Sequence, residues 1–226
     1  MNRPRSRSAA ADDAPPRRRG RPTGSSTEHG PATRQRIEQT AIELFSKNGF
    51  HATGVSELGA AVGLQPGALY YHIGSKEELL WNVLRTHIEE VLVAAQTIAD
   101  TELAPADKLR ELIRSHVGTI AARQREVAIY IRDSDALTGD RAAHLQELRE
   151  EIEKVWLRVL TEGYRAKTFK TADHVVVNGL LGMANMVYYW YRPDGPDSPA
   201  QIADKLIAVI LDGLCSGPTS RARRRI

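Results

Sequence analysis

The spacing of apolar residues predicts helices from residue 32 onward, and no alternation of apolar and polar residues predicts a convincing strand. A first helix is expected over about 32–47, where the dipeptide Asn-Gly ends it. Two short helices follow, "VSELGAAV" and "PGALYYHI", and the second begins at Pro66, because a first helical turn tolerates the missing N–H of proline. A capping-box pattern, Ser75 followed three residues later by Glu78, opens a long helix to about residue 98.

The remainder of the chain is also predicted to be helical. The predicted helices cover about 105–122, 124–137, 140–166, 172–191 and 199–214. The sequence Thr-Gly-Asp separates the second of these from the third, and a segment with three prolines separates the last two. The chain is therefore predicted to be all-α, with about nine helices.

The most apolar run is "VVVNGLLGMANMVYYWY", residues 175–191. At about 17 residues it is at the short edge of what a membrane span requires. It also contains the polar residues Asn178 and Asn185. A helix buried on nearly all sides, in a core or in a subunit interface, is therefore expected instead.

The net charge of the 226 residues is only +3, but it is unevenly distributed. Residues 1–22 carry +5 and the last six residues carry +4, so the segment between them is net negative. A mildly acidic body with basic ends indicates a polyanion near the ends. The alternative is that the basic ends, including a tail at 217–226, only aid solubility.

Few features of the sequence favour a secreted, membrane-bound or catalytic protein. The single cysteine, Cys215, cannot form an intramolecular disulfide and fits a reducing, cytoplasmic setting. The charged N-terminus has no apolar segment typical of a secretion signal. The sequence has no Walker, HExxH or GxSxG motif, and its seven histidines are scattered. The protein is therefore not expected to be an enzyme or to need a cofactor, a metal or a membrane.

The two short helices, joined by Gly-Leu-Gln, have the layout of a helix-turn-helix unit packed on the first helix. The second helix of such a unit enters the DNA major groove. Leu69 and Ile73 are four residues apart, so they share the face that anchors this helix to the core. Tyr70, Tyr71 and His72 then project sideways, where their polar groups can donate to phosphates. Alternatively, one tyrosine packs at the edge of the core and His72 packs on the first helix.

The stretch "TGVSELGAAVGLQPGALYYHIGSKEELL" resembles the DNA-binding signature of the TetR family of transcriptional regulators. The matching positions are Leu58, Gly59, Val62, Gly63, Leu64, Gly67, Leu69, Tyr70, His72, Ile73, Ser75, Lys76, Glu77 and Leu79. Ile73 replaces the usual phenylalanine, and Gly59 replaces the usual alanine at a cost of about 1 kcal/mol of helix stability. The resemblance covers roughly residues 32–80. It implies a three-helix DNA-binding head at 31–77, a larger helical ligand-binding and dimerisation body at 78–216, and a homodimer.

The family's pattern also implies which residues contact double-stranded DNA. The candidates for reading bases are Gln65, Gly67 and Ala68. Tyr70, His72 and Lys76 are expected at phosphates, Tyr71 is expected between these two roles, and Thr53 is a further contact candidate. Because one short helix reads few base pairs, two heads are expected on a palindromic operator.

The N-terminal arm, residues 1–30, is rich in Arg, Pro, Ala, Ser and Gly and is predicted to be disordered. It contains "RRRGRP", whose Arg-Gly-Arg-Pro core resembles an AT-hook. Arg19 and Arg21 suit the negative potential of an A/T-rich minor groove. An arm that binds the minor groove or phosphates is favoured over an inert tail.

The helices of the body are predicted to enclose a pocket for a small-molecule effector, with mostly apolar walls and a few polar groups. The candidate ligand-binding residues are Trp81, Leu84, Ile88, His116, Ile120, Tyr130, Trp156, Met183, Met186 and Trp190. Asp133, Asn178 and Asn185 are further candidate polar groups. The alternative is that these side chains only form a core. The long helix that starts at Ser75 links head and body and is the expected transmitter.

The stretch 188–214 resembles a C-terminal segment of some actinobacterial TetR-type repressors of fatty-acid and steroid breakdown, which respond to acyl-CoA thioesters. The resemblance implies a large, partly apolar effector, with arginines at the pocket mouth near its phosphates. The expected function is a repressor that such an effector releases from its operator. The alternatives are an architectural A/T-binding protein without an effector, and a helical protein whose head is vestigial.

Overall fold

A computed structural model describes residues 30–215. These residues form helices and turns, and one isolated β-bridge pairs Phe169 with Cys215. The helices are α1 (Pro31–Asn48), α2 (Val55–Val62), α3 (Pro66–Ile73), α4 (Lys76–Ala99), α5 (Pro105–Ala122), α6 (Gln124–Asp133), α7 (Gly139–Arg165), α8 (His174–Asn185), α9 (Val187–Trp190) and α10 (Pro199–Leu214). The all-α prediction is confirmed. Helices α3, α5 and α10 each begin at a proline, as the sequence predicts.

Two predicted helices differ from the observed ones at positions without a glycine or proline signal. The helix expected over 124–137 ends at Asp133, and the chain tightens there into a 3₁₀ turn, Ser134–Ala136. The helix expected over 172–191 is divided at Met186, whose carbonyl accepts a hydrogen bond from the N–H of Tyr189, three residues ahead (3.1 Å). Counted as one divided helix, α8 and α9 bring the described chain to the nine helices that the sequence predicts.

The head consists of α1, α2 and α3 around a small apolar core. Ile37, Phe45 and Leu58 are fully buried in it, as is Leu69 of α3. Gly63, between α2 and α3, has a φ of +70°, a left-handed conformation that favours glycine. This turn lets α3 bury one face while the other faces outward.

The body is built on the two longest helices, α4 and α7, which pack along each other. Helix α5 packs on both of them and also on α10. Trp156, Val159 and Leu160 of α7 are at most 1 % exposed, so this face of α7 belongs to the core. Between residues 30 and 215, no helix has both the length and the apolar character needed to cross a bilayer.

Two helices connect the head to the body. The N-cap Ser75 of α4 accepts a hydrogen bond from the N–H of Glu78 (2.9 Å), and α4 then continues without a break into the body. Helix α6 makes the second link, because the guanidinium of Arg132 donates to the carbonyls of Phe45 and Ser46 at the end of α1. A change in the body can therefore reach the head along α4 or α6.

Candidate functional site

The first turn of α3 presents the predicted base-reading residues to solvent. Gln65, Gly67 and Ala68 are exposed, whereas Leu69 and Ile73 are buried and hold the helix to the head. A Cβ built on Gly67 would meet no atom of the described chain within 4 Å. The fold of the head therefore does not require glycine here, but a missing side chain allows close approach to base edges.

The two tyrosines of α3 are exposed next to this turn. Tyr70 is 47 % exposed and Tyr71 is 74 % exposed. The ring of Tyr71 makes an edge-to-face contact with that of His72, with centroids 5.5 Å apart. The carbonyl of His72 accepts a hydrogen bond from Arg34 of α1 (3.4 Å), which ties the end of α3 to the first helix. These side chains thus lie beside the turn that is predicted to read bases.

Thr53 is not on that surface. Its side chain is fully buried, and its hydroxyl donates to the carbonyl of Gly49 (2.8 Å). Its N–H also donates to Gly49 (3.2 Å). The position of Thr53 in the family's pattern is therefore explained by the turn between α1 and α2, which its side chain closes from inside.

Lys76 is half-buried, and its ammonium already has protein partners. It donates to the carbonyls of Phe50 (2.9 Å) and Thr53 (3.0 Å), and it lies 4.4 Å from the centroid of the Phe50 ring. The predicted phosphate contact would have to use its remaining donor. Arg19 and Arg21 lie outside the described residues, so the minor-groove arm stays a prediction.

A cavity of about 360 Å³ lies in the body among α4, α5, α6, α7 and the divided helix α8–α9. Its walls are mainly apolar, with several polar side chains between the apolar ones. The predicted ligand-binding residues that line it are Ile88, His116, Ile120, Tyr130 and Met186. The additional polar candidates Asn178 and Asn185 line it as well. Those side chains come from α4, α5, α6 and the divided helix α8–α9, so the fold brings together residues far apart in the sequence.

Five other predicted ligand-binding residues do not line this cavity. Leu84 and Trp156 are buried in the core, where their rings or methyls fill space between helices. Trp81 packs edge-on against His144 of α7 (5.4 Å between centroids). The remaining two, Met183 and Trp190, are 39 % and 51 % exposed on the outer face of the divided helix.

The polar candidate Asp133 is also absent from the cavity wall. Its carboxylate is buried and accepts hydrogen bonds from the neighbouring Arg132 (3.1 Å from Nη2). It therefore orients the guanidinium that links α6 to α1.

His116 and Asn185 form a polar pair on the cavity wall. Nε2 of His116 lies 2.8 Å from Oδ1 of Asn185, so the imidazole is oriented by the amide. The His116 ring also packs nearly perpendicular to the ring of Trp156, with centroids 5.9 Å apart. Burial lowers the pKa of His116, and the hydrogen bond to Asn185 opposes this effect. The ring therefore presents a neutral hydrogen-bonding group.

His87 of α4 lines the same cavity and was not predicted to do so. It is 6 % exposed, and its Nδ1 has no hydrogen-bond partner among the described residues. Burial is the main cause that lowers its pKa to about 4, with smaller contributions from His116 and Arg123 and an opposing one from Glu126. A neutral imidazole with an unpaired nitrogen is a natural partner for a ligand oxygen, because leaving such a group unpaired is unfavourable.

Charged residues lie at one part of the cavity wall. Arg149 of α7 places its guanidinium carbon 5.9 Å from the centroid of the Tyr130 ring. Burial raises the pKa of Tyr130, Arg149 lowers it and Glu153 raises it. The cavity therefore combines apolar walls, neutral polar groups and two charged residues, Arg149 and Glu153.

Two protein-family models match the head and the body of this chain. The model for "Bacterial regulatory proteins, tetR family" matches residues 37–82, and "Tetracyclin repressor-like, C-terminal domain" matches residues 102–214. The chain is 30 % identical over 188 residues to the HTH-type transcriptional repressor KstR2 of Mycolicibacterium smegmatis, which covers 81 % of this chain and 92 % of that protein. The chain belongs to the TetR family. It is a DNA-binding transcriptional regulator with the helix-turn-helix head of that family.

Solved structures of TetR-family members share its fold. KstR2 of Mycobacterium tuberculosis superposes with a TM-score of 0.76 at 25 % identity, covering 83 % of this chain and 97 % of that one. PfmR of Thermus thermophilus gives 0.73 at 27 % identity, covering 78 % and 97 %. AibR, whose structure is a complex with isovaleryl coenzyme A and operator DNA, gives 0.71 at 24 % identity, covering 78 % and 96 %. At that identity AibR shows the fold alone.

The cavity residues of this TetR-family regulator that sequence reasoning missed fall into two groups. The apolar and small ones are Thr119, Val127, Ile131, Ile152, Leu181, Gly182 and Tyr189. The others are His87, Arg149 and Glu153. His87 lies on the apolar face of α4, and the two charged residues belong to a charged run that is typical of a solvated helix face. Helical spacing indicates which face of a helix is apolar, but not where neighbouring helices leave a gap.

Proposed function

We propose that the protein is a homodimeric repressor of a palindromic operator, released from DNA when a small-molecule effector fills the cavity. The observation that carries this proposal is the path of α4. This helix begins at the head, where Lys76 bonds to the turn before α2, and it contributes His87 and Ile88 to the cavity wall. One continuous helix thus touches both the DNA-binding unit and the effector site.

The mechanism is a shift between two populations of the dimer. Two heads read a palindrome when their α3 helices are about 34–36 Å apart, which is one turn of DNA. The effector is expected to bind more tightly to a state in which the two heads have a different separation. It then lowers the affinity for DNA, and the size of this effect is set by how much more tightly the effector binds that state than the DNA-binding state. Because α4 spans 24 residues, a small tilt at the cavity becomes a larger displacement at the head.

An exposed apolar stripe supports the homodimer. On the divided helix α8–α9, Val175 is 78 % exposed, Met183 39 %, Met186 50 % and Trp190 51 %. Val209 on α10 is 67 % exposed. Large apolar side chains at helical spacing on a surface are typical of protein interfaces, and a second copy offers a self-complementary partner.

The effector is proposed to be an acyl-CoA-like thioester. The cavity is within the range of about 300–1,000 Å³ that small-molecule sites occupy, and its apolar walls suit an acyl group. The resemblance of residues 188–214 to acyl-CoA-responsive repressors supports the same class. AibR, a protein of this fold, binds isovaleryl coenzyme A, and the KstR2 of M. tuberculosis is described as a ketosteroid regulator. We also propose that the protein acts in the cytoplasm and catalyses no reaction.

An architectural A/T-binding protein is the second candidate, and the arginine-rich arm at 1–30 favours it. Deletion of the arm separates the two proposals. In both cases the truncated protein should bind DNA less tightly and with a flatter salt dependence, because fewer phosphates are neutralised. A truncated protein that keeps its preference for one palindrome supports the repressor, whereas one that loses all preference supports the architectural role.

The primary experiment is the selection of genomic DNA fragments by the purified full-length protein, followed by sequencing. We expect enrichment of one palindrome. Its release is then measured with a series of acyl-CoA thioesters whose chain length and branching vary. Broad enrichment of A/T-rich DNA without a palindrome would refute the repressor, and a palindrome that no thioester releases would refute the effector class alone.

A further inference from the structure

His87 of α4 is a buried polar side chain to which the described part of the chain offers no hydrogen-bond partner. Its ring is 6 % exposed and lines the cavity, and its Nδ1 is unpaired among residues 30–215. The ring of Tyr130 on α6, with its centroid 6.5 Å from that of His87, leaves this nitrogen unpaired. An unpaired buried nitrogen destabilises its surroundings, so a ligand group that pairs with it gains affinity.

The second histidine of the cavity wall, His116 of α5, has its partner within the protein. Its Nε2 lies 2.8 Å from Oδ1 of Asn185. Burial lowers the pKa of both imidazoles, so both rings are neutral in the folded protein. Of two neutral rings on one wall, the fold therefore pairs one and leaves the other for a molecule from outside the chain.

The charged groups that act on His87 pair with one another. Glu126 of α6 influences the ring electrostatically, but its carboxylate lies 3.3 Å from the guanidinium of Arg123. Arg123 also binds Glu90 of α4 (2.9 Å). With the imidazole neutral and Arg123 held by two carboxylates, this part of the described wall supplies no free cation for an anionic ligand group. An uncharged hydrogen-bonding group is therefore the suitable partner for His87.

The cavity wall around this imidazole is mainly apolar. Ile88 and Val91 of the same helix line it, together with Ile120 of α5 and Val127 of α6. A hydrocarbon that fills the cavity displaces water from His87 and returns no hydrogen bond, whereas a ligand with an oxygen at this point does return one. A site that pairs a polar ligand group discriminates strongly against the analogue without that group, because its own polar atom is then left unpaired.

We propose that His87 selects effectors that carry a hydroxyl or keto oxygen on the apolar part that occupies the cavity. The inference rests on the proposed function and deepens it, because it makes the acyl group an oxygenated one rather than a plain hydrocarbon. A neutral imidazole has one donor and one acceptor nitrogen, so it donates to a ketone and pairs with a hydroxyl in either role. A half-turn about the Cβ–Cγ bond exchanges Nδ1 with Cδ2, which lets the ring present Nδ1 to the ligand.

The test measures dissociation constants by NMR titration of the DNA-free protein with cyclohexanone, cyclohexanol and chlorocyclohexane. These probes have the same number of heavy atoms, and the chloride lacks a strong hydrogen-bonding group. From wild type to His87→Leu, the affinity of the ketone relative to the chloride should fall at least about tenfold, as should that of the alcohol. Comparing ratios cancels the difference between the probes in their transfer from water.

Two further variants show whether the effect belongs to this side chain. His87→Gln keeps a donor and an acceptor and should retain most of the preference. His144→Leu is the matched control, because His144 lies on α7 against Trp81 and does not line the cavity. It should behave like wild type. In the wild-type protein, the ring ¹⁵N signals of His87 should shift with the ketone and the alcohol but not with the chloride, a readout that needs no variant.

Four results would overturn the inference. They are an unchanged affinity ratio in His87→Leu, unmoved His87 ring signals at saturating ketone, tighter binding of cyclohexanecarboxylate than of cyclohexanone, and no binding of any probe. None of these measurements needs DNA or a thioester. A failure of all thioesters to release DNA would therefore reject the proposed effector class and leave the selection of an oxygen by His87 to be judged on its own result.

Discussion

The ammonium of Lys76 lies 3.0 Å from the carbonyl oxygen of Thr53 and donates a hydrogen bond to it. With the bond to Phe50, this contact closes the chain between α1 and α2 against the first turn of α4. The resemblance to the TetR signature predicts that Lys76 contacts a DNA phosphate and that Thr53 also contacts DNA. The geometry gives both residues a role in folding the head, and this role is testable without DNA.

We expect Lys76→Met to lower the free energy of unfolding by about 1–3 kcal/mol, because two carbonyls lose a charged donor. Urea denaturation of the DNA-free protein measures this. Lys154→Met, at an exposed lysine on α7, is the matched control and should unfold like wild type. If Lys76→Met is as stable as wild type and yet binds DNA weakly, Lys76 acts on phosphate alone.

Gly59 is expected to resist replacement by alanine, although alanine favours helices by about 1 kcal/mol. A Cβ at this position would lie 2.8 Å from the carbonyl oxygen of Leu64, whose N–H donates to Gly59 across the same turn (2.8 Å). Gly59→Ala should therefore lower the free energy of unfolding by about 1–3 kcal/mol. Gly67→Ala, with open space around it, should fold normally and lose operator affinity. Equal stability of the two variants would contradict the proposed clash.

Tyr70 is 47 % exposed beside the turn that is predicted to read bases, and we propose that its hydroxyl contacts a phosphate. Such a contact carries no sequence information. Tyr70→Phe should therefore weaken binding to the operator and to unrelated DNA by a similar factor, roughly three- to tenfold. Fluorescence anisotropy with both DNAs measures it, and Tyr164→Phe on α7, 54 % exposed, is the control. A loss confined to the operator would assign Tyr70 to a base instead.

The elements of the head were predictable because strong local signals mark their ends. Pro66 begins α3, the glycine at 63 ends α2, and the spacing of Leu69 and Ile73 orients α3 correctly. The body was harder. The division at Met186 has no proline or glycine signal at that position, so no local pattern predicts it.

The cavity in the body was less predictable than the head. Trp156 has the size and apolar character expected of a ligand contact, but its side chain is fully buried in the core and does not line the cavity. Arg149 belongs to a charged run, yet it reaches the cavity because α7 turns that face toward α6. Which side chains surround a gap depends on the distances between helices, and no local pattern encodes those distances.

His87 should make the protein sensitive to acid. Its pKa is lowered by burial from about 6.5 to about 4 in the folded state, so the unfolded chain binds a proton first as the pH falls. The free energy of unfolding should therefore decrease as the pH drops from about 6.5 to about 4, by about 3 kcal/mol in total. His116, whose pKa is also lowered by burial, acts in the same direction.

Replacement of His87 by leucine isolates its contribution. His87→Leu removes the group that protonates on unfolding, so its stability should fall less steeply than that of wild type between pH 6.5 and pH 4, as measured by urea denaturation at each pH. Ile88→Val is the control on the same wall of the cavity. It should cost about 0.5–1.5 kcal/mol at every pH, because it only removes a methyl group. Parallel pH profiles for wild type and His87→Leu would mean that His87 has the same pKa in the folded and the unfolded protein. That result would contradict the lowering of its pKa by burial.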